Sequence, residues 1–332
     1  MNVNSVNKLC TLDEATKMIQ DNKVLIIAGN ETALNQLPKG NWIGGTIPYF
    51  MDITGGAFTK EKVFVTDLTD IQNNFKISSY PPEKLNDLLA DRYVNGFTYI
   101  LVPGFSEIHQ KYAIGAEETD GLYDAPIFGW ITGIDLSELG KNTPKVINGK
   151  NKSVSNNSAL CLHVELHEGK MARLEILNIF QQGDGDKILF KEEGFSCKTC
   201  LVNGREVNFA DYILNNNIDI RFPLVANYAG AMINISFQEV NKDNKEVKFY
   251  APVRKGIEYK LANPVKDYVS DFMKIVPSQA ESKDIVMSCN CILNYLYSEL
   301  ENKKTGGMTG PITFGEIAYV LVNQTMVYLS IV

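Results

Sequence analysis

"MTGPITFGEIAYVLVNQTMVYLSIV", residues 308–332, decides how the chain is read. Gly310, Pro311 and Gly315 interrupt it early, and one acid, Glu316, follows the last glycine directly. Glycine lacks a Cβ and permits tight corners. The apolar, β-branched remainder predicts a closing strand. Just upstream, "DIVMSCN" (284–290) predicts a further strand that runs into the helical pattern "CILNYLYSELENKK". Strand, helix and strand in succession predict an α/β fold.

The same alternation opens the chain. Thr11, Leu12, Asp13 and Glu14 have the spacing of a capping box, which starts a helix through about Gln20. "KVLIIAG" (23–29) and "KVFVTDL" (62–68) predict strands, and "NWIGGTIPYF" (41–50) a short element broken by Gly44, Gly45 and Pro48. "PPEKLNDLLADRYVNG" (81–96) has the clearest helical pattern, with Leu85, Leu88, Leu89 and Tyr93 on one face and Asn95-Gly96 as the stop. "FTYILVPG" (97–104) is then a strand. Residues 140–158, rich in Gly, Asn, Lys and Ser, have the composition of a linker or a long exposed loop. Beyond them, Leu160, Leu162, Val164 and Leu166 alternate with Cys161, His163 and Glu165, which places His163 on the polar side of a strand. His167–Lys170 would turn that strand into "MARLEILNIF" as a hairpin, and a second hairpin would pair residues 232–240 with 246–253.

The expected architecture is α/β in two lobes, 1–150 and 151–332, each a mixed sheet flanked by helices, with antiparallel hairpins in the second. A chain of 332 residues exceeds one small core. "NWIGGTIPYF" and "APIFGWITGIDL" (125–136) share Trp, Gly and β-branched residues. The sequence does not separate a repeated sheet-end turn from coincidence.

A net charge of −7 argues against nucleic acid or an anionic membrane as partner, because phosphate binding needs a positive footprint. No apolar run nears the ~20 residues of a membrane helix. "MNVNSVNKLCTLDEATK" lacks the apolar core of a signal peptide, so a cytoplasmic location and six reduced cysteines are expected.

Cys197-Lys198-Thr199-Cys200 has zinc or redox spacing, but "FSCKTCLV" reads as one strand entering the Asn203-Gly204 turn, and strand positions i and i+3 face opposite sides. Cys289 sits where a strand gives way to a helix, where open α/β sheets bind ligands; a thiol there is either a nucleophile or a small packed side chain. A site joining cysteines 197, 200, 289 and 291 matches no standard zinc module. His163 and His167 read as solvent-facing, and Asp184-Gly185-Asp186 reads as a solvated turn because it lacks the further acids of a calcium loop. Phosphate-loop, dinucleotide and H-E-x-x-H motifs do not occur, so neither metal nor cofactor is expected. Glu316 has two readings of equal weight: a ligand-binding or acid–base carboxylate, or a carboxylate that accepts main-chain N–H bonds at a corner.

"MSCNCILNYLYSELE…GPITFGEIAYVLVNQTMVYL" resembles the carboxy-terminal part of the FIST family, the F-box and intracellular signal transduction sensory domains. The likeness falls on Ser288 and Cys289, Glu299, Gly310 through Gly315-Glu316, and Asn323 with Thr325. Residues 24–50 and 200–214 resemble earlier pieces of that family. The resemblance implies a cytoplasmic small-ligand sensor whose site is lined by Cys289, Thr313, Gly315 and Glu316. Where the family often has an arginine after the cysteine, this chain has Asn290 and Cys291. The sensory part also takes up the whole sequence, which implies a separate signalling output partner. The expected function is binding of a small polar molecule such as an amino acid, with Gly44, Gly45 and Gly315 allowing close backbone approach. The alternative is a cysteine-dependent enzyme with Cys289 as nucleophile and Glu316 as acid or base.

Overall fold

The computed structural model describes residues 7–228, 231–276 and 284–332. The chain forms two compact units, one of residues 1–177, 276–320 and 326–332, the other of 178–275 with 321–325.

The larger unit repeats one connectivity three times. Leu25–Gly29 leads through helix Glu31–Gln36 to Trp42–Thr46, and these two strands are parallel. Gly96–Pro103, helix Glu107–Gly115 and Ile127–Thr132 repeat the arrangement, as do Ile285–Cys291, helix Ile292–Tyr297 and Gly310–Thr313. A helix crossover is the usual way to join parallel neighbours. In each repeat a later strand returns antiparallel beside the first: Val63–Asp67, Ala159–Leu166 and Met326–Ile331 respectively. The strand that opens each repeat covers its outer side: Asn7–Cys10, Gln72–Tyr80 and Ala172–Leu177.

The three sheets are joined by a cyclic exchange. The strand after Trp42–Thr46, Tyr49–Asp52, pairs with Gly310–Thr313 of the third repeat. Val146–Asn148 of the second pairs with Trp42–Thr46 of the first, and Glu316–Ala318 of the third pairs with Ile127–Thr132 of the second. Each parallel pair ends at a buried threonine in equivalent register: Gly29 faces Thr46, Pro103 faces Thr132, and Cys291 faces Thr313.

Residues 178–275 of the smaller unit are an insertion in the third repeat, between Ala172–Leu177 and Ile285–Cys291. Its strand ladders are antiparallel among the described residues, and one isolated parallel bridge joins Phe190 to Lys255. Phe190, Phe209, Phe237, Phe249 and Tyr259 form its aromatic core, with Phe190 edge-on to Tyr259 at 5.5 Å. The mixed α/β class and the antiparallel hairpins thus hold, whereas the units follow a different partition from a division near residue 150.

Four local expectations fail. Residues 81–96 form only a 3-10 turn, Pro82–Lys84, and one helical turn, Asp87–Ala90. The Arg92 side chain takes the Leu89 carbonyl, an acceptor that a continuing helix would use. The linker-like stretch supplies two strands, Val146–Asn148 and Ser153–Ser155. Ala159–Leu166 makes no hairpin with Ala172–Leu177, which pairs instead with the last strand. The arm expected over 232–240 is split: Phe237–Asn241 pairs with Glu246–Val253, while Ala231–Ile235 pairs with Leu224–Tyr228.

Candidate functional site

Five of the six residues singled out in the sequence come together around Trp130. Glu316 faces Trp130 across the Glu316–Ala318 and Ile127–Thr132 pairing and is fully buried. Its Oε1 accepts a hydrogen bond from Thr313 Oγ1 at 3.1 Å. Gly315, at φ 155°, accepts from the Ile131 amide at 2.8 Å, which seats the corner on the central strand of that sheet. The Cys289 thiol donates to the Gly129 carbonyl at 3.6 Å. A Cβ on Gly45 would lie 2.5 Å from the Trp130 ring and 2.8 Å from Thr132. Gly44 faces the other way, because alternate strand residues point to opposite sides, and clears the Trp42 ring. Both glycines therefore make room for tryptophans.

The cluster is buried, and its surroundings disfavour a thiolate. Cys289 is 2% exposed, and burial, then the Glu316 carboxylate and Cys291, push its thiol well above the ordinary range. A cysteine nucleophile needs the opposite shift. Cys197 and Cys200 lie on separate strands, Gly194–Cys197 and Thr199–Val202, and burial raises both thiols, Cys200 to about 12. Among the described residues no group of three or more His, Cys, Asp or Glu could hold a metal ion. His163 is fully buried instead of solvent-facing, because its face of the strand is covered; it contacts Tyr80 Oη at 2.8 Å and Thr98 Oγ1 at 2.9 Å.

A hollow opens next to this cluster, one residue along from Gly45. It measures about 180 Å³ and lies at the carboxyl ends of Leu25–Gly29, Trp42–Thr46 and Ile127–Thr132. Open α/β sheets place ligands at such strand ends. Asn30, Glu31, Thr46, Lys60, Glu138 and Asn142 supply its polar lining, while Gly44, Gly45, Cys289, Thr313, Gly315 and Glu316 lie outside that lining.

The wall is prearranged. Lys60 Nζ sits 2.6 Å from Asp135 and 2.7 Å from Glu138, and these bonds hold the ammonium protonated far above its usual range. Glu138 is lowered by Lys60 and then by Asn142, whose amide donates to it at 2.8 Å. Burial would raise Asp135, but hydrogen bonds from Lys60 and Ser137 outweigh it and leave the acid below its ordinary range. Lys145 pairs with Glu31 at 2.6 Å, and its amide donates to Thr46 Oγ1 at 2.9 Å. Gly133 donates to the Thr46 carbonyl at 2.7 Å, which ties the first repeat to the second.

At the equivalent place in the second repeat two aromatic rings meet. There Phe105 follows the first strand and Phe314 follows Thr313, with ring centroids 5.8 Å apart. Phe314 lies so close to Gly133 that a Cβ there would come within 2.5 Å of its ring.

Sequence reasoning missed Lys60, Glu138 and Asn142 because each comes from a connecting segment with no motif. One signal existed: Gly29-Asn30 is a strand end followed by a helix cap, the same junction that drew attention to Cys289.

Fold and site define a mixed α/β protein with a polar cavity at its parallel strand ends. The chain belongs to DUF6976, a family of unknown function whose model matches residues 10–332. Among curated proteins nothing matches it. Among the described residues no helix is long and apolar enough to cross a membrane.

Proposed function

We propose that this protein binds a small polar molecule, of amino-acid size, in the cavity beside Thr46, and does not convert it. The observation that carries the reading is a hollow of about 180 Å³ at three strand ends whose lining holds both signs of charge. That volume is below the ~300–1,000 Å³ of drug-sized sites, so only a compact ligand fits. Lys60 offers a cation, Glu31 and Glu138 offer anions, and Asn30 and Asn142 offer amides. Charge-assisted hydrogen bonds contribute roughly 1.5–3 kcal/mol each, enough to select one polar ligand over another.

In this reading the Cys289–Thr313–Glu316 cluster is the rigid backing of the neighbouring strands. The resemblance to FIST sensory domains agrees with a sensing role, and the signal would pass to a separate partner in the cytoplasm. Burial and a nearby carboxylate both work against a Cys289 thiolate, which favours binding over the enzyme alternative.

Thermal denaturation against a panel of amino acids and small hydroxy- and dicarboxylic acids tests the proposal. A ligand present at 100 times its dissociation constant adds about 2.7 kcal/mol of stability. The expected result is such a gain for at least one compound, reduced tenfold or more in affinity by Lys60→Met. A panel without effect, or a gain that survives Lys60→Met unchanged, overturns it.

A further inference from the structure

The second repeat departs from the first in a way that leaves space on its surface. In the first, helix Leu12–Gln20 sends Ala15 and Ile19 into a closed core with Leu34, Leu37 and Trp42. The counterpart between Gln72–Tyr80 and Gly96–Pro103 is only the turn Pro82–Lys84 and the single helical turn Asp87–Ala90. Between that segment and helix Glu107–Gly115 lies a cleft of about 450 Å³. This is within the ~300–1,000 Å³ typical of small-molecule sites.

The cleft has an apolar floor and a charged rim. Leu85, Leu88 and Leu122 line it and are nearly inaccessible, whereas Lys111, Glu118 and Asp120 line it from exposed positions. Its two sides are stapled together. The Arg92 guanidinium donates to the Leu89 carbonyl at 3.2 Å on one side, and to Gly121 at 2.8 Å, Leu122 at 3.2 Å and Ala125 at 3.3 Å on the other. Tyr112, also in the lining, donates its hydroxyl to the Tyr319 carbonyl at 2.7 Å. A cleft held open this way spends little free energy on ordering when it is filled.

We propose that this cleft is a second binding site, for a small molecule with an apolar body and a cationic head. The leucine floor accepts the body. Two carboxylates against one ammonium at the rim favour a positive head by charge complementarity. This site is separate from the polar cavity and does not depend on it.

Tryptamine and indole-3-acetate share a ring and carry opposite charges, so titrating the full-length, leucine-methyl-labelled protein with each, followed by NMR, tests both halves of the proposal. Tryptamine is expected to shift the methyl signals of Leu85, Leu88 and Leu122 saturably, with indole-3-acetate at least tenfold weaker. Gly115 lines the cleft, and a Cβ placed on it meets nothing within 4 Å. Gly115→Leu should therefore fill the space and abolish the shifts while the thermal midpoint stays within two or three degrees. The double variant Glu118→Gln, Asp120→Asn should bring the two ligands to equal affinity. The proposal is overturned if neither ligand moves these signals, if Gly115→Leu leaves tryptamine binding intact, or if indole-3-acetate binds as tightly as tryptamine to the unaltered protein.

Discussion

Glu316 brings a carboxyl group into the centre of the larger unit, and the turn before it decides what that group meets. Gly315 and Thr313 fold the corner so that the Thr313 hydroxyl reaches the acid, and the same corner presses Phe314 onto Gly133. His163 is the second buried titratable group with a consequence. Tyr80 donates its hydroxyl proton to Asp91 at 2.6 Å, so His163 Nε2 donates to Tyr80 and Nδ1 accepts from Thr98, which assigns the neutral tautomer. Burial lowers its pKa to about 4, as it does for His109. Unfolded histidine protonates near 6.5, so between 6.5 and about 4 the unfolded chain binds more protons and stability falls with falling pH. The slope is up to roughly 1.4 kcal/mol per pH unit for each histidine. Urea midpoints measured from pH 7 to 4 should fall accordingly, and His163→Gln should flatten the decline. An identical slope in the variant would refute the assignment.

At the scale of elements, the second strand of two of the parallel pairs carries a glycine that its neighbour requires. Gly129 and Gly310 stand three residues before Thr132 and Thr313, at equivalent points of the second and third repeats. A Cβ on Gly129 would sit 1.8 Å from the Ile100 carbonyl oxygen, and one on Gly310 1.9 Å from that of Ser288. The obstacle is backbone of the paired strand, which cannot swing aside. Gly129→Ala and Gly310→Ala should each cost at least about 3 kcal/mol in chemical denaturation. Gly115→Ala, facing open space, should change stability by less than about 1 kcal/mol. A soluble Gly129→Ala protein with an unaltered midpoint would contradict the strand pairing. The stretches "NWIGGTIPYF" and "APIFGWITGIDL" are both the second strand of a strand–helix–strand repeat and the turn that leaves it, although their glycines fall at different points of the register.

For the molecule as a whole, the cyclic exchange of strands means that no repeat in the larger unit is complete alone. Each sheet borrows a strand from the next repeat, so the three are expected to fold together. Residues 178–275 stand outside this cycle. The pairings that join Leu25–Gly29, Gly96–Pro103 and Ile285–Cys291 to their neighbours use no residue of 178–275. Replacing 178–275 with a short glycine–serine linker should therefore leave a folded core. Its amide spectrum would retain dispersed signals for those three strands. Collapse to an unfolded or molten spectrum would show that the insertion is required.

Much of the secondary structure was legible locally. The Thr11 capping box, the apolar runs at 25–29, 63–67, 96–103 and 285–291, and the Asn203-Gly204 turn all depend on neighbours within a few residues. The α/β class followed from them. Tertiary structure alone decided that His163 is buried, that Ala172–Leu177 pairs with the last strand, and that 140–158 contributes strands to a sheet. It also decided that the polar hollow is lined from segments as distant as Asn30, Lys60 and Glu138. The physical reason is common to all four. Strand pairing and cavity lining join residues tens to hundreds of positions apart, and local propensity carries no information about which distant partner a strand will meet.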